Sequence, residues 1–259
     1  MIKNYVRIFR RLIIFTLLSA FPIGCTLPAK VPMDTIYYEE VPNVRNSHLF
    51  IFLPGRGDRL GTYKKHGFID AARQKGLKVD MAEADAYTAY YEDGSIGIRL
   101  KEDVIGPAKA KGYKHIWLVG ISMGGTGSLL YAGKYSDDIS GVILFAPFLG
   151  DEAIINEIKQ TGGIQKWNSG KAIEGDWQNH LWLWIKNYGQ DKNKSLPVYL
   201  VYGDNDKFAP ANNMLATVLQ PDHVAVIKGA HDWQTWKTLW DILLDKIKPT
   251  INEKADHPQ

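Results

Sequence analysis

His115-Ile116-Trp117-Leu118-Val119-Gly120-Ile121-Ser122-Met123-Gly124-Gly125 is the stretch that decides the fold. His115 to Val119 reads as a short apolar strand bounded by Gly120. Gly124 to Tyr135 suits a helix despite its glycines. Between them lies Gly-x-Ser-x-Gly, which occurs once in the chain. A serine at the tip of a sharp strand-to-helix turn is held in a strained backbone conformation that presents its hydroxyl. Side chains at Gly120 and Gly124 would collide with the neighbouring strand and helix.

Outward from this turn the chain alternates. Strands are expected at His48–Leu53, Lys78–Glu83, Val142–Ala146, Pro197–Tyr202 and His223–Ile227. Helical spacing marks Tyr63–Lys75, Ile96–Lys111 and Ala211–Leu219. Trp233, Trp236, Trp240, Leu243, Leu244 and Ile247 share one helical face. This rhythm predicts an α/β fold, a mostly parallel sheet with helices on both faces. One segment breaks it. Phe148 to Leu196 separates two strands by nearly fifty residues and carries Trp167, Trp177, Trp182 and Trp184. A plain crossover needs far fewer, so the segment reads as a cap inserted over the end of the sheet, at about residues 148–196. Asp176 can cap a helix in which Trp177, Leu181 and Trp184 form one face, with Trp182 and Ile185 close beside it. The tryptophans either line a pocket or build the cap's own small core.

A serine hydroxyl is a poor nucleophile at neutral pH and needs a base, which in turn needs an orienting acid. After an elbow of this kind the partners follow in the order acid, then His. Gly203-Asp204-Asn205-Asp206 follows the strand ending at Tyr202, and Gly229-Ala230-His231-Asp232-Trp233 follows the strand ending at Ile227. Both lie at C-terminal strand ends, where open α/β sheets place their sites. Ser122, Asp206 and His231 are the candidate catalytic residues, with Asp204 the alternative acid. Two backbone N–H donors must face the developing oxyanion. Met123, after the nucleophile, is one. Arg56, in the Pro54-Gly55-Arg56-Gly57 loop after the first core strand, is assigned as the other. The loop contains no HGGG run. It also fails as a dinucleotide fingerprint, because the third glycine falls at Gly61 rather than at Leu60, and no Lys-Ser/Thr pair follows to make a phosphate-binding loop.

With these residues in place, the chain from about His48 to Lys248 resembles the α/β-hydrolase fold superfamily, in particular small bacterial members with the same Pro-Gly-Arg-Gly-Asp and Gly-Ile-Ser-Met-Gly-Gly runs. The resemblance implies a serine hydrolase that cleaves a carboxylic ester or thioester through an acyl-enzyme, with no metal or organic cofactor. Members using an Asp nucleophile are set aside by Ser122. An acyltransferase with the same triad is one alternative, and a non-catalytic lipoprotein binding module is another. The aromatic cap favours a small-molecule substrate with an apolar acyl part.

The N-terminus reads as an address. Its first eleven residues are basic, Leu12 to Phe21 run apolar, and Pro22-Ile23-Gly24-Cys25 follows. Residues 1–24 have the plan of a signal peptide, too short in its apolar run to span a bilayer. Pro22-Ile23-Gly24-Cys25 resembles a bacterial lipobox, departing from it at Pro22. That resemblance implies acylation of Cys25, the only cysteine, and membrane attachment through the lipidated N-terminus in the cell envelope. Thr26 is not the acidic residue that signals inner-membrane retention, which favours the outer membrane or the periplasmic side. An ordinary signal peptide, or a membrane-buried helix with an incidental Cys, are the alternatives. Residues 25–46 form a tether leading into the domain at 47–248, and 249–259 are a tail. The single Cys leaves the mature chain without a disulfide.

The 259 residues, 45% hydrophobic and 23% charged, exclude a disordered chain and a disulfide-stapled mini-domain. The formal charge of +3 reflects Lys3, Arg7, Arg10 and Arg11; beyond residue 24, acids exceed Lys and Arg by one. No basic excess remains to support a nucleic-acid partner.

Overall fold

The structure is a computed structural model and describes residues 27–39, 46–169, 175–191 and 196–256. Its strands in chain order are β1 (Thr35–Tyr38), β2 (His48–Leu53), β3 (Asp80–Ala84), β4 (His115–Ile121), β5 (Gly141–Phe145), β6 (Val198–Gly203) and β7 (Val224–Ile227). They form one sheet in the order β1-β3-β2-β4-β5-β6-β7. β1 runs antiparallel at the edge and every other pairing is parallel. The register aligns Leu53 with Gly120, Ile121 with Phe145 and Gly203 with Ile227, so the C-terminal strand ends share one rim.

Each central strand is buried on both sides, as expected of a parallel sheet covered by helices. Leu49, Ile51 and Leu53 of β2 face one core, with Leu118, Leu144 and Leu200. Phe50 and Phe52 face the other, with Val119, Phe145 and Val201. The helices are α1 (Thr62–Lys65), α2 (Phe68–Gln74), α3 (Ala89–Glu92), α4 (Ile96–Arg99), α5 (Gly106–Ala110), α6 (Met123–Tyr135), α7 (Glu152–Gln160), α8 (Trp177–Gln190), α9 (Ala209–Ala216) and α10 (Trp233–Asp256). A π-helical stretch, Leu100–Ile105, joins α4 to α5. The second core is aromatic: Trp240 of α10 stacks on Phe68 of α2 at 5.5 Å and donates its indole N–H to the Phe68 carbonyl. Full burial of such a side chain contributes about 1.5–3 kcal/mol.

Several expectations are corrected. The helix expected over Tyr63–Lys75 is two, because Gly67 sits at φ 79 and breaks the run. β1 and the end of α10 lie outside the expected domain limits of 47 and 248. The stretch expected as a tether is docked from Pro28 onward. The Pro28 carbonyl accepts from the Tyr87 hydroxyl, the Lys30 carbonyl accepts from Tyr90, and Met33 is buried. The described part of the segment 148–196 carries α7 and α8 between β5 and β6. α8 lies beside α6, with the Trp184 ring against Gly133. Leu181, Trp182 and Ile185 enter the first core, and the Trp182 indole donates to the Leu149 carbonyl. A connection between parallel strands must lay a helix on the sheet face, and this need turns the 181/182/185 face inward instead of the 177/181/184 face. Cys25 and the signal-like residues lie outside the described residues, as does the tip of the C-terminal tail. No helix among the described residues is long and apolar enough to cross a membrane.

Candidate active site

The rim made by the strand ends carries the site. β4 ends at Ile121, α6 begins at Met123, and Ser122 between them adopts φ 52, ψ −114. It is one of two non-glycine residues with positive φ among those described, the other being Ala146. An L-residue there is strained, and the surroundings hold it. The Ser122 N–H donates to the Phe145 carbonyl, and the Ser122 carbonyl accepts from Gly125, Thr126 and Phe148. Gly124 is required by close approach: a Cβ there would lie 2.0 Å from the Leu53 carbonyl oxygen. α6 is thereby pressed onto the end of β2. Tyr63 ties the same two strand ends, donating its hydroxyl to the Leu53 carbonyl at 2.6 Å and accepting the Ile121 N–H at 3.2 Å. Burial pushes the Tyr63 phenol well above its ordinary pKa, so it stays a donor.

The two loops singled out from the sequence converge on Ser122. His231 Nε2 is 3.0 Å from Ser122 Oγ, and His231 Nδ1 is 2.7 Å from Asp206 Oδ2. The Asp206 side chain is fully buried, and its other oxygen accepts the Phe208 N–H at 2.8 Å. This network assigns the neutral ring its tautomer, with Nδ1–H donated to the carboxylate and Nε2 left to accept from the serine. Asp204, the alternative acid, is occupied elsewhere: its Oδ1 accepts the Gly229 N–H and closes the turn. Among the remaining histidines, His48 stacks on His115, His66 on Trp233 and His223 on Tyr199. His180 is exposed and His257 lies outside the described residues.

Met123 opens α6, in the first turn, where backbone N–H groups have no carbonyl one turn back to bond. Arg56 lies in the turn closed by the Asp58 N–H to Gly55 carbonyl bond, directly after Leu53-Pro54 and beside the Ile121 end of β4. Burial pushes the Asp58 carboxyl in this turn upward, opposed by His66 and Lys65. The loop is secured farther on by residues that sequence reasoning passed over. The Arg59 guanidinium binds the buried Asp85 carboxylate at 2.6 and 2.9 Å and covers the Tyr87 ring at 4.3 Å. The Asp85 N–H in turn donates to Asp34 of the docked N-terminal segment.

The imidazole also sits between aromatic rings. Phe208 meets it edge-on at 4.9 Å on one side, and Trp236 at 4.9 Å on another. Phe148 packs against Phe208 at 5.2 Å, and Trp177 against Phe148 at 5.9 Å. Of the cap tryptophans, Trp177 reaches this cluster, while Trp167 and Trp182 are buried core. The signal that could have found Phe208 and Phe148 was position, two residues beyond the acid and three beyond the end of β5. Among the described residues no group of three or more His, Cys, Asp or Glu side chains could hold a metal ion.

Comparison with known proteins agrees with this architecture. Residues 82–245, more than half of the chain, match the model of the family described as "Putative esterase". No curated protein matches the sequence. Among solved structures, the chain is similar to Est1E from Butyrivibrio proteoclasticus, with 20% identity, a TM-score of 0.54 and coverage of 87% of this chain and 95% of that one. It is also similar to the S-formylglutathione hydrolase of Staphylococcus aureus, at 13% identity and a TM-score of 0.56 over 78% of this chain and 81% of that one. A ferulic acid esterase matches at 16% identity with a TM-score of 0.55, covering 80% and 86%. At such identities the likeness shows the shared α/β-hydrolase fold.

Proposed function

The chain belongs to the Esterase family, and from that premise we propose that it is a serine hydrolase whose catalytic triad is Ser122, His231 and Asp206, cleaving a small carboxylic ester or thioester through an acyl-enzyme. The observation that carries this reading is the pair of hydrogen bonds at 3.0 and 2.7 Å that runs from Ser122 Oγ through His231 to Asp206. Ser122 Oγ attacks the carbonyl carbon while its proton passes to His231 Nε2. The buried Asp206 carboxylate stabilises the imidazolium and fixes its orientation. The N–H groups of Met123 and Arg56 receive the oxyanion, a contribution of about 10²–10³ in rate for one donor. The tetrahedral intermediate collapses, and Nε2 delivers its proton to the departing alcohol or thiol. Water then attacks the acyl-serine, gives a proton to Nε2, and the acid leaves as the proton returns to Ser122.

The test uses three variants against a p-nitrophenyl ester and a fluorophosphonate probe. Ser122→Ala should lower kcat by about 10³ or more and abolish labelling. Asp206→Asn should impair turnover far more than Asp204→Asn, because the Asp204 carboxylate faces Gly229. Labelling retained in Ser122→Ala, or the reverse ranking of the two aspartates, refutes the assignment.

We further propose that Cys25 carries the acyl anchor of an envelope lipoprotein. The support is Pro22-Ile23-Gly24-Cys25 following a basic and then apolar N-terminus.

A further inference from the structure

We propose that Phe148, Trp177 and Phe208 form a wall that holds the alcohol side of the ester, and that this wall selects alcohols bearing an aromatic group. The proposal rests on the triad reading above. The argument starts from the sheet order. β2, which leads into the Arg56 loop, flanks β4 on one side; β5 and β6, which lead into Phe148 and Phe208, lie on the other. The substrate carbonyl oxygen must point at the Met123 and Arg56 N–H groups, toward β2. The leaving oxygen must lie within hydrogen-bond reach of His231 Nε2, because that nitrogen protonates it. Phe208 stands edge-on to the same imidazole at 4.9 Å. A group attached to the leaving oxygen therefore runs from the imidazole along Phe208 and on to Phe148 and Trp177, at successive ring spacings of 5.2 and 5.9 Å.

The three rings are each half-buried, unlike the core tryptophans Trp167 and Trp182. Each is anchored by its own segment. The Phe148 N–H donates to the Ser122 carbonyl, which fixes the ring relative to the nucleophile. Phe208 is tied through its N–H to the Asp206 carboxylate. Trp177 opens α8 directly after Asp176, which accepts from the Asn179 N–H and caps the helix. Consecutive rings are tilted at about 50° to one another. Tilted and edge-on pairs at these spacings are favourable for aromatic groups, so a planar ring on the substrate can meet the wall in the same way.

The test separates the two halves of the ester. Ethyl, benzyl and cyclohexylmethyl acetates vary the alcohol; ethyl acetate and ethyl phenylacetate vary the acyl part. Each is assayed for kcat/KM with wild type, Phe148→Leu, Trp177→Leu and Phe208→Leu, which keep an apolar side chain. Fluorophosphonate labelling is read in every variant to show a folded, competent serine. Wild type should prefer benzyl over both ethyl and cyclohexylmethyl acetate. The benzyl-to-ethyl ratio should fall by about three- to tenfold in the variants, while the phenylacetate-to-acetate ratio stays within about twofold of wild type. A fall confined to the acyl series puts the wall on the acyl side and overturns the proposal. Ratios unmoved in both series, in variants that still label, make the rings packing alone and also overturn it. Absence of labelling in wild type would instead overturn the triad reading, and this proposal with it.

Discussion

Gly124→Ala tests whether the elbow works through close approach of α6 to the end of β2. A Cβ at Gly124 would stand 2.0 Å from the Leu53 carbonyl oxygen, 2.6 Å from the Leu53 carbonyl carbon and 2.8 Å from the Pro54 carbonyl oxygen. Carbon-to-oxygen contacts settle near 3.3–3.6 Å, so helix and strand must part by more than about 1 Å. All three contacts are to backbone, so no side chain can swing away. The two bodies forced apart carry the two proposed oxyanion donors: α6 carries Met123, and Leu53-Pro54 carries the Arg56 loop. A misplacement of about 1 Å can cost on the order of 10² in rate, and we expect that loss in kcat. Helix propensity alone argues the other way, since Ala exceeds Gly by about 1 kcal/mol in a helix interior. Overpacking costs about 1–3 kcal/mol and should win, with a net fall in Tm of up to about 8 °C. Gly133→Ala on the same helix is the control. Its Cβ would meet the Trp184 ring at 3.4 Å, an ordinary contact. There propensity should decide, with Tm up by about 2–4 °C and kcat unchanged. A Gly124→Ala enzyme that hydrolyses a p-nitrophenyl ester within threefold of wild type would refute the reasoning.

Two further outcomes concern the surface and the N-terminus. Burial alone would raise the Asp138 carboxyl, but hydrogen bonds from Lys101, Lys109 and Tyr131 outweigh it and hold the pKa at about 2 instead of 3.8. A folded pKa below the unfolded one contributes stability above about pH 4 that is lost as pH falls toward 2. Asp138→Asn should therefore flatten the acid limb of a urea-midpoint profile between those values; parallel profiles for variant and wild type would contradict it. For the anchor, mass spectrometry of the mature N-terminus should find an acylated Cys25, and an unmodified Cys25 or another N-terminus would refute it.

The convergence of Ser122, His231 and Asp206 was legible in the sequence because each member obeys a local rule. Ser122 lies between a strand and a helix with glycines two residues to either side, and Asp206 and His231 each follow the end of a strand by a few residues. A parallel sheet brings C-terminal strand ends to one rim, so three local signals become one site without further information. Between Asp204 and Asp206 the sequence favoured Asp206, three residues past the turn glycine Gly203 and before Pro210, but left Asp204 open because both are within reach of a turn after β6. The backbone decided: the Asp206 N–H bonds back to the Gly203 carbonyl and turns its side chain inward, while Asp204 closes onto Gly229. β1 was not legible because Thr35–Tyr38 is four residues long, follows a proline-containing stretch and is only half-buried at the sheet edge. The Arg59–Asp85 pair was missed because it joins two loops with nothing in either to single it out.

The segment between β5 and β6 shows where periodicity runs out. Its aromatic density suggested a cap, and the helical face at 177, 181 and 184 was one of two that overlap. A face at 181, 182 and 185 is also consistent with a period of 3.6; the two faces share Leu181 and are centred about 80° apart around the helix. Choosing between them needs the position of the neighbouring helix, which a single sequence does not state. In the structure the Trp184 ring lies against α6 at Gly133, while Trp182 enters the first core. Trp177 begins the helix at its rim end and is left to meet Phe148. The tryptophans of α8 thus divide by rotation about one helix: Trp182 is buried in the first core, Trp184 lies against Gly133, and Trp177 meets Phe148. Composition counts them alike, and their roles follow from the rotation of α8 about its axis.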